Sequence, residues 1–162
     1  MNPIVVAELA GSASYGGGER YLELLCEHLD SSRFRPILIC PEAGSFVGRM
    51  QARGVDVRVV QLEPLVNPLA LMRLVRLLAQ EQVAILQTHG TRANVYGRVA
   101  GWLAGVPVVV STVHNSIADY EGSGLKRWIY AAVLRATRPW VNRIICVSDA
   151  IRRDVIADDS SA

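Results

Sequence analysis

Short apolar runs alternate along the chain with longer segments in which hydrophobic residues recur at helical spacing. Six of these runs are apolar at nearly every position, as expected for strands that helices cover on both faces. The predicted strands are Ile4–Glu8, Pro36–Cys40, Val55–Val60, Ala84–Thr88, Val108–Val113 and Arg143–Val147. This alternation predicts an α/β fold, with a Rossmann-like parallel sheet of about six strands flanked by helices.

The segments between the strands predict amphipathic helices. In the first helix five apolar residues recur on one face: Tyr21, Leu22, Leu25, Cys26 and Leu29. The later helices are predicted over Ser45–Arg53, Pro68–Glu81, Thr91–Ala104 and Gly124–Arg138. Ser148 is the predicted N-cap of a sixth helix. We assign residues 1–157 to one domain and the polar residues 158–162 to a frayed tail.

Composition narrows the class of protein. A chain of 162 residues corresponds to one domain, and 51% hydrophobic residues exclude general disorder. A net charge of +2 is too small to hold nucleic acid through phosphate contacts alone. Cys26, Cys40 and Cys146 have no metal-site spacing and are expected to be reduced thiols. With no signal peptide and no run of eighteen apolar residues, we expect a cytoplasmic domain that binds no nucleic acid.

A glycine-rich segment follows the first predicted strand, where ligands bind in open parallel sheets. Gly16, Gly17 and Gly18 run directly into the first helix, so backbone N–H groups there favour a phosphate or carboxylate. The alternative is a flexible surface turn. The segment lacks the Gly-Lys-Ser/Thr of a P-loop and misses the GxGxxG spacing. A dinucleotide site, with Glu42 as the ribose-binding acid, is therefore a weaker hypothesis.

Two histidines follow neighbouring predicted strands. His89 ends the fourth and His114 follows the fifth, so both fall on the ligand-binding edge. Each is a candidate binding group or general base near neutral pH, with a purely structural role as the alternative. Nearby pocket candidates are Tyr15, Gly90, Arg92, Asn94 and Asn115. His28 lies on the first helix, away from this edge, and is expected to be structural.

Four segments in this order resemble the N-terminal half of a GT-B, family 4 type glycosyltransferase over essentially the whole chain. They are Gly16-Gly17-Gly18-Glu19, Thr88-His89-Gly90, Thr112-Val113-His114-Asn115 and Cys146-Val147-Ser148-Asp149-Ala150. The resemblance implies one half of a GT-B architecture that binds the glycosyl acceptor, while a second Rossmann-like half binds the nucleotide-sugar donor. It also implies transfer in the cleft between the halves, with retention of configuration and without a metal or other cofactor.

The resemblance also implies roles for individual residues. His114 is the candidate catalytic residue, in contact with the donor sugar or the leaving phosphate. Gly16, Gly17 and Gly18 offer backbone N–H groups to the donor diphosphate or to the acceptor. The predicted acceptor side consists of Tyr15, His89, Gly90, Arg92, Asn94 and Asn115. Residues 115–122 are expected to shape the acceptor pocket.

The donor half of such an enzyme is absent from this sequence, including its Glu-x7-Glu segment. A single half cannot surround a donor, so we expect the isolated chain to be inactive and to be an acceptor domain excised from a longer enzyme. One alternative is a subunit of a split enzyme, either paired with a donor-binding chain or acting as a non-catalytic sugar- or lipid-binding subunit. A dinucleotide-binding oxidoreductase fragment is the third hypothesis.

Basic residues concentrate near the end of the chain. Residues 123–153 contain seven basic side chains, Asp149 as the one acid, and Trp128, Tyr130 and Trp140. Such a surface suits anionic lipid headgroups or a lipid-linked acceptor, which predicts peripheral contact with the inner face of the membrane. The alternative is buried aromatic rings and solvated arginines. The apolar stripe of the third helix is expected to pack on the sheet, with a membrane or partner-helix surface as the alternative. It consists of Leu69, Met72, Val75 and Leu78 with the neighbours Leu71, Leu74 and Leu77.

Overall fold

Six parallel strands form one twisted layer in a computed structural model that describes residues 3–62, 67–115 and 123–160. The strands are β1 (Ile4–Ala10), β2 (Phe34–Cys40), β3 (Asp56–Val59), β4 (Ile85–His89), β5 (Val108–Val113) and β6 (Arg143–Cys146). Their order across the sheet is β3-β2-β1-β4-β5-β6. The predicted α/β class and Rossmann-like parallel sheet are confirmed.

Six α-helices connect and follow these strands within the described residues. They are α1 (Gly17–His28), α2 (Ser45–Ala52), α3 (Pro68–Gln80), α4 (Thr91–Leu103), α5 (Gly124–Ala136) and α6 (Asp149–Ser160). The predicted N-cap of α6 is present, because the Oγ atom of Ser148 accepts a hydrogen bond from the Ile151 N–H at 3.3 Å.

Two helix ends differ from the prediction by two residues or more. α5 ends at Ala136, and a 3₁₀ turn follows over Arg138–Trp140. Pro139 has no N–H to donate to the carbonyl of Arg135, and its ring crowds that carbonyl, which accounts for the early end. α6 continues to Ser160, three residues into the predicted frayed tail. Aspartate and serine cost only tenths of a kcal/mol per helical position relative to alanine, so a polar composition does not by itself end a helix.

The two faces of the sheet carry separate hydrophobic cores. Ala7, Leu9 and Leu86 pack with α3 and α4, whereas Ala10 and Leu38 pack with α1 and α2. The strand interiors are therefore apolar on both faces, as the sequence pattern predicted. β6 is an edge strand and is less covered, with Ile145 exposed.

α3 corrects one prediction about packing. Its buried face consists of Ala70, Leu74 and Leu78, which recur at i, i+4 and i+8. Leu69 and Met72 are exposed, so only part of the predicted apolar stripe packs on the sheet. Each step of three residues falls about 60° short of a full helical turn, so side chains spaced by three move progressively away from one face. Side chains spaced by four residues stay closer to the same face.

The strand order reverses between β1 and β4, which brings three loops to one edge of the sheet. Ala10 at the end of β1 is in register with His89, and His89 is in register with Thr112 of β5. The loops after β1, β4 and β5 therefore leave the sheet side by side. Such a switch point is where open α/β sheets bind ligands.

Cys26, Cys40 and Cys146 are free thiols, and burial raises the pKa of both Cys26 and Cys40 to about 12. Among the helices of the described residues, none has the length and apolar character required to cross a bilayer.

Candidate functional site

A cavity of about 850 Å³ opens at the carboxyl edge of the sheet, between the loops after β1, β4 and β5. We call it the cleft. Its size lies within the range of small-molecule sites. Seven of the predicted site residues line it: Gly17, Gly18, His89, Gly90, Arg92, His114 and Asn115. The topology therefore brings most of the predicted site together.

Two helices begin at the cleft with glycine N-caps. Gly16 precedes α1, and Gly90 precedes α4. Neither glycine has a side chain to cap the first N–H groups, so these donors and the positive ends of both helix dipoles are available to an anion. Gly90 has φ +85°, a left-handed conformation that favours glycine. The arrangement suits a phosphate or diphosphate.

A chain of three polar side chains leads from the interior of the sheet to the cleft. The Nε2 atom of His89 lies 2.7 Å from Oε2 of Glu8, and both residues are almost fully buried at 4% and 2% exposure. The Nδ1 atom of His89 lies 3.4 Å from Nε2 of His114. The ring of Tyr21 packs against both imidazoles, with centroid distances of 5.7 and 6.1 Å.

His114 is half-buried at the wall of the cleft. Burial lowers its pKa, and the neighbouring His89 lowers it further, so the imidazole is neutral at pH 7. The start of α1 approaches the ring closely, since a Cβ added to Gly18 would lie 3.7 Å from Cε1 of His114. A neutral imidazole in this position offers one hydrogen-bond donor and one acceptor.

Tyr15 and Asn94 lie away from the cleft lining. The Tyr15 hydroxyl donates to Oε2 of Glu23 at 2.6 Å, and its ring lies 4.6 Å below the Arg49 guanidinium. Asn94 is buried, and its Oδ1 accepts a 2.5 Å hydrogen bond from Thr88 Oγ1. Both side chains hold the walls of the site together instead of facing the cavity.

Glu42 and His28 do not line the cleft. Glu42 is exposed and is not among the cleft-lining residues, which removes support for a ribose-binding acid. His28 is exposed, and its Nδ1–H donates to the carbonyl of Leu24, as expected for a structural residue. The predicted acceptor loop beyond Asn115, residues 116–122, lies outside the described residues.

Three contributors to the site were missed by the sequence analysis. Glu8 and Tyr21 support the two histidines, and a Cβ added to Gly11 would lie 2.7 Å from the carbonyl oxygen of His89. Glu8 had a sequence signal, because it is a charged residue at the end of an apolar run predicted to be a buried strand. Gly11 lies in the glycine-rich segment after the first predicted strand but was not named as a site residue, and Tyr21 had no comparable signal.

A second buried carboxylate anchors the loop that carries Tyr15. Glu23 accepts hydrogen bonds from Tyr15, Arg20 and Arg49, and it also pairs with Arg53 at 2.9 Å. The hydrogen bond from Tyr15, followed by that from Arg49, lowers the pKa of Glu23 to about 2. We call this group the Glu23 clamp; it ties the glycine-rich loop to α1 and α2.

The Glu23 clamp predicts an acid-dependent loss of stability. A carboxyl whose folded pKa lies below its unfolded value stabilises the protein above the unfolded value, near 4.5, and this contribution is lost as the pH falls toward 2. Urea unfolding of Glu23→Gln should therefore show lower stability at pH 7 and a weaker pH dependence between pH 4.5 and 2. Glu27→Gln is the control, because Glu27 is exposed and its one observed ion pair within the described residues is with Arg53, at 3.3 Å. An unchanged pH dependence in Glu23→Gln would contradict the prediction.

In the basic segment, residues 123–153, some aromatic rings are buried or stacked and one is exposed beside basic side chains. Tyr130 is fully buried, and Trp140 stacks on Trp102 with centroids 4.7 Å apart. Trp128 and Leu125 are each 68% exposed at the start of α5, beside Lys126 and the exposed Arg127. We call these four residues, Leu125 to Trp128, the α5 patch. It has the apolar and basic composition of a membrane-contacting surface.

Comparison with protein families and known enzymes gives consistent matches. The model of the glycosyl transferase 4-like domain matches residues 16–162. A relative from Escherichia coli, UDP-Gal:alpha-D-GlcNAc-diphosphoundecaprenol alpha-1,3-galactosyltransferase, is 28% identical over 125 residues, which cover 75% of this chain and 32% of the relative.

Solved structures show the same fold. The Anabaena protein HepE in complex with UDP is 17% identical, with a TM-score of 0.76 over 96% of this chain and 41% of HepE. Acinetobacter baumannii MurG is 15% identical, with a TM-score of 0.67 over 92% of this chain and 42% of MurG. The chain spans about a third to two fifths of the length of these proteins.

Proposed function

The chain belongs to the glycosyl transferase 4-like domain family, and from this membership we propose that it is the acceptor-side half of a glycosyltransferase. The resemblance stated from the sequence motifs is thereby confirmed. The observation that carries the proposal is the cleft, where two helices that begin after glycine N-caps and two histidines converge. In the proposed enzyme a second Rossmann-like half closes over this cleft.

We propose a UDP-sugar as the donor. The E. coli relative is named for transfer from UDP-Gal, and HepE has been solved with UDP and with UDP-glucose. In this chain the starts of α1 and α4 offer N–H groups suited to the charge that develops on a departing diphosphate. In this proposal neutral His114 hydrogen-bonds a hydroxyl of the donor sugar.

For the acceptor we propose a sugar carried on a lipid diphosphate, the acceptor class in the name of the E. coli relative. His89, Gly90, Arg92 and Asn115 line the cleft and are the candidates for acceptor contacts. Tyr15 and Asn94 act on the acceptor only indirectly in this proposal, through the position of the walls.

The test is transfer by the full-length enzyme that contains this domain. Purified enzyme would be incubated with UDP-galactose, UDP-glucose or UDP-N-acetylglucosamine and with a polyprenyl-diphosphate-linked N-acetylglucosamine. Release of UDP together with a product heavier by one hexose or one N-acetylhexosamine unit supports the proposal. Absence of product with every donor, from enzyme that still binds UDP, would overturn it.

We further propose that the α5 patch holds the domain at anionic membranes. Each basic side chain near such a surface contributes about 1 kcal/mol, so Lys126→Ser with Arg127→Ser should weaken cosedimentation with phosphatidylglycerol vesicles at least about fivefold at low salt. Arg73→Ser with Arg76→Ser is the matched control, since both arginines are exposed on α3. Equal binding by the two double variants would contradict the role of the patch, as would binding that high salt does not weaken.

A further inference from the structure

Glu8 is a carboxylate in an unfavourable place. It lies in β1 between the fully buried Ala7 and Leu9, and only 2% of its surface is exposed. Burying a carboxylate costs several kcal/mol, and a well-packed apolar residue of similar volume often stabilises a fold as well or better. The contact of Glu8 with His89 Nε2 at 2.7 Å offsets the cost but does not explain why a carboxylate stands there.

We propose that Glu8 is a positioning residue that sets the orientation and the tautomer of both cleft histidines. An ionised carboxylate only accepts hydrogen bonds, so His89 carries its proton on Nε2. Wherever the His89 ring is neutral, its Nδ1 atom is then an acceptor. The proton in the 3.4 Å contact between the rings therefore belongs to Nε2 of His114.

The consequence appears at the wall of the cleft. With its proton on Nε2, neutral His114 keeps Nδ1 as a hydrogen-bond acceptor. An acceptor recognises a hydroxyl donor, whereas it repels the oxygens of a phosphate. We call the two contacts from Glu8 through His89 to His114 the relay. It makes Nδ1 of His114 a hydrogen-bond acceptor for a sugar hydroxyl. This step rests on the proposed function, while the tautomer itself does not.

Glu8→Gln separates this role from simple packing. Glutamine keeps the volume and a hydrogen bond to His89, but its amide either accepts from Nε2–H or donates to a bare Nε2. The second arrangement moves the His89 proton to Nδ1 and reverses the contact with His114. The variant therefore releases the tautomer constraint without emptying the core.

The experiment uses full-length protein labelled with ¹⁵N at histidine, observed by long-range ¹H–¹⁵N correlation at pH 7. We expect Nε2–H tautomers for His89 and His114 in the wild type, with a slowly exchanging Nε2 proton on His89. In Glu8→Gln we expect Nδ1–H signal to appear for both rings. Glu23→Gln is the control, because it removes another buried carboxylate whose observed contacts include neither histidine.

The outcomes separate the tautomer relay from the proposed function. An Nδ1–H tautomer of either ring in the wild type overturns the relay whether or not the enzyme transfers sugar. The wild-type spectrum decides this even if the variant does not fold. If sugar transfer is established, kcat of Glu8→Gln should fall about fivefold, the size of one ordinary hydrogen bond, with KM for the acceptor unchanged. A shift of tautomers in an enzyme that transfers no sugar supports the relay and contradicts only the proposed function.

Discussion

Gly97→Ala is expected to lower the free energy of unfolding by about 2–3 kcal/mol, the cost of forcing a methyl group into a packed core. A Cβ at this position would lie within 2.3 Å of Cγ2 of Thr88 and 3.0 Å of Cδ2 of Leu9. Thr88 cannot easily turn away, because its hydroxyl is bonded to Asn94 and Ser111. Urea unfolding at pH 7 measures the change.

The control is the same substitution where the space is open. Gly48 lies inside α2, and nothing lies within 4 Å of an added Cβ. Gly48→Ala should therefore stabilise the protein by about 0.5–1 kcal/mol through helix propensity alone. Adding Thr88→Ser to Gly97→Ala removes the nearest methyl group and should restore part of the loss. Equal effects of Gly97→Ala and Gly48→Ala would mean that α4 moves freely over the sheet.

The sheet was predictable because its signals are local. Apolar runs mark strands that are covered on both faces, and glycines mark two helix ends. Gly54 and Gly105 adopt φ +79° and +69°, and the bonds from Val55 to Met50 and from Val106 to Gly101 close the last turns of α2 and α4. Helix ends set by competing effects, as at Pro139, were placed less accurately.

The convergence of His89 and His114 was predictable for a topological reason. Residues that end neighbouring parallel strands must meet at one edge, and the register of β4 with β5 places them together. Within α4 the same argument fails, because each residue turns the helix by about 100°. Arg92 consequently lines the cleft, whereas Asn94 points into the core.

The buried carboxylates show what a pattern of apolar and polar positions misses. Glu23 falls on the polar side of α1 in sequence. It is nevertheless buried, because Arg49 of α2 and Arg53 directly after α2 pair with it from 26 and 30 positions further along. Tyr15 turns toward this carboxylate and away from the cleft for the same reason. Charge pairing between distant segments leaves no local periodicity, so only the three-dimensional structure reveals it.

His114→Ala in the proposed full-length glycosyltransferase should lower turnover at least about tenfold, because the hydrogen bond from the sugar hydroxyl and the packing of the ring at the cleft wall are both lost. The substitution removes the neutral imidazole from the cleft wall and leaves the buried Glu8–His89 pair in place. The measurement is kcat at saturating donor and acceptor. His28→Ala is the matched control and should change kcat less than about twofold, because its ring is exposed and bonds only the carbonyl of Leu24 among its observed contacts.

The pH profile distinguishes this role from a loss of packing. The pKa of His114 lies below its ordinary value of 6.5, so the neutral ring persists through pH 7 and is lost only as the pH falls below the lowered pKa. Wild-type kcat should therefore decline on the acid side with an apparent pKa below 6.5, and His114→Ala should lose that decline. Turnover that is unchanged in His114→Ala would remove His114 from the reaction. If turnover fell in His114→Ala but kcat still declined at low pH, the ring of His114 would be a structural support. Another group in the cleft would then be responsible for the decline.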